Sequence, residues 1–338
     1  MADSKTTALT EVSVPALEDI DYTIDDPGGT PTSAKVSVNR RLGMLRGFWG
    51  FRLSLATGVA VPTADVTAAG TLYAVPHAPP GFSGLAGLSC PFDGTRWRMY
   101  DDTEKSLALT VTNGSNYDVF WYDNAGTRTI ELSAAWTNAT TRADALAAQN
   151  SIDVKSGATT RLHVGTICAS GTNQCETSFG GTTTQVGGKW YVWNKYNQVP
   201  IDLIVIDTAD SWSYPTVTWR VANGATAPLN CLEYVTGDAA SRVSARIISA
   251  ASLASNSARI AINSVGLGNT TPVGLRGAGF NTVVTAMAPT ICAEYAGQPG
   301  LGYRNIRWLE SGSDGSCSFL GDNAASGMQA GMVMRIYA

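Results

Sequence analysis

The chain has 338 residues, a net charge of −4 and only 15% charged side chains, against the ~25% usual for globular proteins. Its 23 basic residues form no runs, which excludes the electrostatic footprint of a nucleic-acid binder. A hydrophobic share of 44% excludes wholesale disorder. No apolar run approaches the ~20 residues of a bilayer span and no tripartite secretory leader opens the chain, so neither membrane insertion nor a signal peptide is expected.

This length suits two modules and an arm. In residues 1–46 a polar leader gives way to the alternating Ile20, Tyr22 and Ile24, a turn over 25–31, and the alternating Val36 and Val38. That is a hairpin or extended arm, and an isolated hairpin is only marginally stable in water. Its apolar side chains need a surface, either on their own subunit or on another polypeptide. A small β module is predicted over 47–135. Its strands centre on Phe51–Leu55, Val59–Val61, Thr71–Val75, Trp97–Met99, Leu107–Val111 and Tyr117–Trp121, with a Pro/Gly loop from about 76 to 95. Asp123-Asn124-Ala125-Gly126 predicts a tight turn back into a strand over 127–132.

A larger module is predicted over 136–338. A hydroxyl cap at Thr140-Thr141, a carboxylate at Asp144, an alanine-rich body and Asn150 predict one short helix at about 140–150. Strand, turn and strand follow over 152–167, then a long Gly/Thr/Ser loop over 168–188. Trp190, Tyr191, Trp193 and Tyr196 form the densest aromatic segment. Beside Asn and Gln such rings can stack on sugars or line a subunit seam, and they also fill sandwich cores; packing is the favoured reading. Residues 201–207 read as a strand buried on both faces. Arg242, Ser244 and Arg246 alternate with apolar residues, giving one solvated face. A glycine-rich loop is predicted over 265–279, strands resume at 283–284 and 291, and the last segments read as a meander of neighbouring strands. The expected fold is therefore all-β: two β-sandwich or barrel-like modules, a short helix between them and an extended N-terminal arm.

Chemistry is sparse. His77 lies in the proline loop and His163 at an alternating strand position, both read as ordinary surface or half-buried imidazoles. Gly81-Phe82-Ser83-Gly84 is followed by Leu85, not by the second glycine of a nucleophile elbow. Asp314, Asp322 and Asn323 are spread like loop cation ligands without the spacing of an EF-hand. Six cysteines lack zinc or redox spacing and read as reduced thiols, with pairing of Cys168 and Cys175 as the minority alternative. No catalytic residue, cofactor or metal is nominated.

The segments WYDNAGTRTIELSAAWTNATTRADALAAQN (121–150), VKSGATTRLHVGTI (154–167), WYVWNKYNQVP (190–200) and SWSYPTVTWRVANG (211–224) resemble a modular protein of tailed bacteriophages, described as a virion structural or tail-fibre-like protein. The likeness runs from about residue 51 to the C-terminus. The opening ALTEVSVPALEDIDYTIDDPGGTPTSAKVSV is similar to a leader found on phage fibre proteins. The resemblance implies a non-enzymatic particle component made in the host cytoplasm, a head or tail fibre for host attachment, and a homotrimer. It further implies docking on other virion proteins through residues 1–46, with Ile20, Tyr22, Ile24, Val36 and Val38 as the anchoring contacts, and outward loops open to host surface glycan. The alternative from another class is a glycan-degrading tailspike enzyme, which needs a pair of carboxylates roughly 5 to 10 Å apart in a groove.

Overall fold

The computed structural model describes residues 20–25, 32–37, 46–78, 81–181, 185–253, 259–281, 290–312, 317–322 and 329–338. Strands β1 (Ile20–Asp25) and β2 (Thr32–Ser37) pair antiparallel, from Ile20 opposite Ser37 to Asp25 opposite Thr32. This is the hairpin predicted from the alternation. Val36 stands opposite Asp21 and Lys35 opposite Tyr22, so the Val36 position falls on the other face of the ribbon from Ile20, Tyr22 and Ile24. Val38 lies outside the described residues.

Six short strands follow: β3 (Phe51–Ser54), β4 (Val66–Ala69), β5 (Thr71–Pro76), β6 (Leu88–Ser89), β7 (Tyr100–Asp101) and β8 (Lys105–Ala108). β3, β5 and β8 make one antiparallel sheet and β6 pairs with β7. The expected strand at Val59–Val61 is a turn instead. Gly58 has φ 69°, and the Ser54 hydroxyl donates to the Val59 carbonyl at 2.6 Å, which curls the chain out of the sheet.

The next strands are β9 (Asn116–Asn124), β10 (Thr127–Leu132), β11 (Leu146–Gln149), β12 (Ile152–Lys155) and β13 (Ala158–Cys168), then β14 (Cys175–Gly180), β15 (Gly187–Trp190) and β16 (Val192–Asn194). All but β14 and β15 form one sheet, in the order β10-β9-β13-β12-β11 with β16 also on β13. Ala125 and Gly126 take positive φ in the predicted β9–β10 turn. Packing of Phe51, Leu53 and Leu72 with Val119, Trp121 and Leu162 closes a small sandwich, in which Trp49, Phe51 and Trp121 meet at ring separations of 4.8–5.2 Å. β9 and β13, assigned to different modules by the expected boundary at 135/136, are neighbours in one sheet. The expected loop over 168–188 is in part β14 and β15.

The helix predicted at about 140–150 does not form. Asn150 and Ser151 have φ of 51° and 67°, the tight-turn geometry that joins β11 to β12, so the residue read as a helix stop is a hairpin corner. Upstream, the Asn138 carboxamide accepts the Thr140 N–H at 2.9 Å, and Arg142 is drawn down onto Asp118 at 2.7 Å. Alanine's helix preference is a few tenths of a kcal/mol per residue, too weak against these fixed contacts.

The remaining strands are β17 (Pro200–Ile206), β18 (Ser211–Ser213), β19 (Arg220–Val221), β20 (Cys231–Thr236), β21 (Val243–Leu253), β22 (Arg259–Leu267), β23 (Pro272–Asn281), β24 (Thr290–Gly297), β25 (Gly302–Gly312), β26 (Cys317–Leu320) and β27 (Gly331–Tyr337). One antiparallel run orders β17-β27-β21-β24 and the other β20-β25-β22-β23. The chain passes between them so that its first and last strands lie side by side and its middle strands close the two ends. This is the order of an eight-stranded jelly roll. The expected terminal meander is thus corrected: β25 and β27 belong to opposite sheets, and β27 inserts between β17 and β21. The glycine-rich segment 265–279 is largely strand, and the strand expected at 283–284 lies outside the described residues. Gly277 lets β23 approach its neighbour, since a Cβ there would fall 1.9 Å from the Cys292 carbonyl oxygen. β17 is buried on one face only, with Asp202 exposed. β4, β14 and β15 extend the second sheet beyond β20. Among the described residues no helix is long and apolar enough to cross a membrane.

Candidate functional site

Alternation on the sheet β17-β27-β21-β24 sends Leu203, Met334, Ile247 and Ala293 into the core, each essentially fully buried. The intervening positions form the outer face. Asp202 receives both Nε and Nη2 of Arg335 at 2.7 Å, and Arg246 lies 3.4 Å from Glu294. Arg335 holds the Asp202 carboxyl below the usual carboxylate range, through this hydrogen bonding and then its charge, against the opposing effect of burial. Both pairs are about half exposed, so each contributes little to stability. Leu275, opposite Glu294 at the edge of β23, stands at the rim of a groove of about 730 Å³ over this face. That size falls within the usual range of ligand pockets. Val333, Ile248, Leu275 and Tyr337 expose apolar surface on or beside it.

The buried carboxylates belong to the scaffold. Asp118, on β9, accepts from Arg142 Nε at 2.7 Å, Trp136 Nε1 at 3.1 Å and Thr166 Oγ1 at 2.8 Å, with His163 Nε2 at 3.1 Å. Arg142 also donates to the Gly237 carbonyl at 2.6 Å, tying the small sandwich to the jelly roll. Asp207 is gripped by Gln185, Asn223 and Asn230. Glu233 accepts from Tyr191 and Tyr303 at 2.5 and 2.8 Å. Glu310 accepts from Trp212 at 2.5 Å and Arg220 at 2.7 Å, while burial pushes its carboxyl above the usual range. A buried charge so paired is costly to strip of its partner.

Burial pushes the His163 imidazole below its ordinary value despite the pull of Asp118. Burial also opposes ionisation of Asp118, but hydrogen bonds from His163 and Arg142 outweigh it and hold that carboxyl below the usual range. Below the ordinary histidine value of ~6.5 the unfolded chain takes up a proton that folded His163 refuses, so stability falls as pH falls through that window. The Asp118 contribution is present above about 4 and is lost as pH falls through the lower folded value. Chemical denaturation at stepped pH is expected to show a decline beginning near 6.5, at up to about 1.4 kcal/mol per pH unit for one histidine. His163→Gln should remove most of the slope between 5 and 6.5. His77, which burial and then Arg52 also lower, acts in the same direction. An unchanged slope in the variant would contradict the assignment.

Three of the four aromatics nominated from sequence are core residues. Trp190, Tyr191 and Trp193 are buried in the main core, with Tyr191 spent on Glu233 and Trp193 stacked on His163 at 6.3 Å. Tyr196 is half-buried against the same core. His163, expected at the surface or half-buried, is wholly buried. Cys168 and Cys175 do not pair: the Cys175 thiol donates to the Cys168 carbonyl at 3.2 Å, and burial pushes the Cys168 thiol up to about 12. Ser83 lies in an exposed turn. Asp314 and Asn323 lie outside the described residues. Sequence reasoning missed the outer face, although the alternating Arg242, Ser244 and Arg246 signalled one solvated strand of it.

No protein-family model matches the sequence, and no curated protein matches it. Among solved structures the chain is similar to the mosquito-larvicidal Cry4Aa toxin from Bacillus thuringiensis, with 8% identity and a TM-score of 0.20 over 87% of this chain and 53% of that one. It thus spans about half the length of that toxin. It is also similar to a chain of the infectious bursal disease virus Gx strain, with 12% identity and a TM-score of 0.24 over 86% of this chain and 73% of that one. Likenesses this weak assign no family, and the architecture rests on the strand order alone.

Proposed function

We propose that this chain is a non-enzymatic structural component of a bacteriophage particle, a fibre or fibre-like appendage built as a homotrimer. Its N-terminal hairpin segment docks on other virion proteins, and the jelly roll is carried outward, where its loops meet host surface glycan. The observation that carries the reading is the strand order β17-β27-β21-β24 over β20-β25-β22-β23, because jelly rolls recur in viral capsid and lectin domains. That is a fold-level analogy, and it agrees with the phage-fibre resemblance of the sequence. The engagement of Asp118, Asp207, Glu233 and Glu310 in scaffold contacts supports a structural role.

The test is imaging of assembled particles decorated with antibody raised against the jelly roll. The expected result is label on an appendage, lost when residues 1–45 are deleted although the truncated protein still accumulates folded. Purified particles without the protein would overturn the reading. Release of reducing ends from host polysaccharide by the purified protein would establish the tailspike alternative instead. Avidity from several weak sites on one appendage requires no strong single contact.

A further inference from the structure

We propose that the outer face of β17-β27-β21-β24 is where a second copy of this chain docks. The inference goes beyond the trimer reading above, because like face on like face is a twofold contact, separate from the threefold axis of a trimer. Nine large apolar side chains are exposed among the described residues, and four of them, Ile248, Leu275, Val333 and Tyr337, fall on or beside this one sheet face. Val333 sits near its centre, opposite Ile204 on one side and Arg246 on the other. Leu275, 72% exposed, rises at the rim of the groove. An apolar cluster rimmed by polar groups is the signature of a protein contact, and arginine is enriched in such contacts.

Charge and area select a second copy. The face carries two guanidiniums, Arg335 and Arg246, and two carboxylates, Asp202 and Glu294. It is neutral in sum, so an identical face can offer a carboxylate to each guanidinium, whereas a polyanion meets Asp202 and Glu294 and a polycation meets the arginines. Four strands spaced at ~4.8 Å and running about seven residues at ~3.4 Å give a projected area near 460 Å², and Leu275 of β23 adds to it at the edge. Side-chain relief brings its accessible area into the roughly 600–1,000 Å² per partner that stable interfaces bury.

Sedimentation equilibrium of the full chain tests this. The wild type is expected to be oligomeric at micromolar concentration. The double variant Leu275→Glu with Val333→Glu should weaken association by about 100-fold or more, the effect of replacing one central and one rim apolar contact by buried carboxylates. Val217→Glu, at a side chain 71% exposed in a loop whose Val217 carbonyl accepts from Ser311 on β25 of the other sheet, should leave it intact. Cys292 supplies a readout that needs no substitution. It is an exposed thiol on the same strand as Glu294, while the other five are buried, so its alkylation should be several-fold slower in concentrated protein than in dilute protein. A monomeric wild type, an unchanged distribution for the double variant, or concentration-independent alkylation of Cys292 would each overturn the proposal. A chain that associates through this face yet is missing from particles sinks only the virion reading. A monomer found on particles sinks this proposal and the trimer, and leaves the place on the particle standing.

Discussion

Asp118→Ala is expected to lower the free energy of unfolding by about 3–5 kcal/mol, the cost of breaking a buried, multiply bonded charge pair, read as a fall in the urea midpoint. The carboxylate is fully buried, and its removal leaves Arg142 Nε, Trp136 Nε1, Thr166 Oγ1 and His163 Nε2 without their shared acceptor. The guanidinium is the most expensive orphan, because Arg142 still carries its charge next to the Trp136 ring at 4.8 Å. It has the Gly237 carbonyl as its remaining partner. The comparison variant is Asp202→Ala, which breaks an equally well-formed pair on the exposed face and should cost no more than ~1 kcal/mol. Amides of residues 136–145 should exchange much faster in Asp118→Ala, since that stretch is held down by Arg142 and Trp136. A loss below ~1 kcal/mol would mean that the cluster does not hold the two parts of the molecule together.

The same cluster marks where sequence reasoning reached its limit. The β9–β10 hairpin was legible because Asp123-Asn124-Ala125-Gly126 states its turn within four residues, and the N-terminal hairpin was legible from alternation. The segment at 140–150 was not, because its conformation is decided by Asp118, 24 positions before Arg142, and by a positive-φ corner at Asn150 and Ser151 that a helix stop also favours. The glycine-rich strand β23 was read as a loop for a similar reason. What makes glycine right at Gly277 is the Cys292 carbonyl, which no local pattern predicts. On the outer face, Asp202 and Arg335 lie 133 positions apart. Composition and period place each on a strand, but only the jelly-roll crossing, in which the last strand returns beside the first, brings them together.

That crossing depends on packing at the inner side of β25, where Trp308→Ala is expected to cost about 3–5 kcal/mol. Trp308 is fully buried and meets Trp212 edge-on at 6.1 Å, while Trp212 stacks on Phe319 at 6.0 Å. The three rings come from β25, β18 and β26, so they join the β20-β25-β22-β23 sheet to the strands that flank β21. Truncation leaves a cavity where an indole stood. It also removes the N–H that Asn263 Oδ1 accepts at 3.2 Å, orphaning an acceptor on a side chain that is itself fully buried. Trp308→Phe separates the two effects. It keeps most of the ring volume and loses the donor, so its cost should be roughly half or less, close to the ~1–3 kcal/mol of an unsatisfied buried group. If Trp308→Ala and Trp308→Phe shift the urea midpoint equally, the hydrogen bond and not the packing is what joins the sheets at this end. If neither shifts it, the ring cluster does not carry the sandwich.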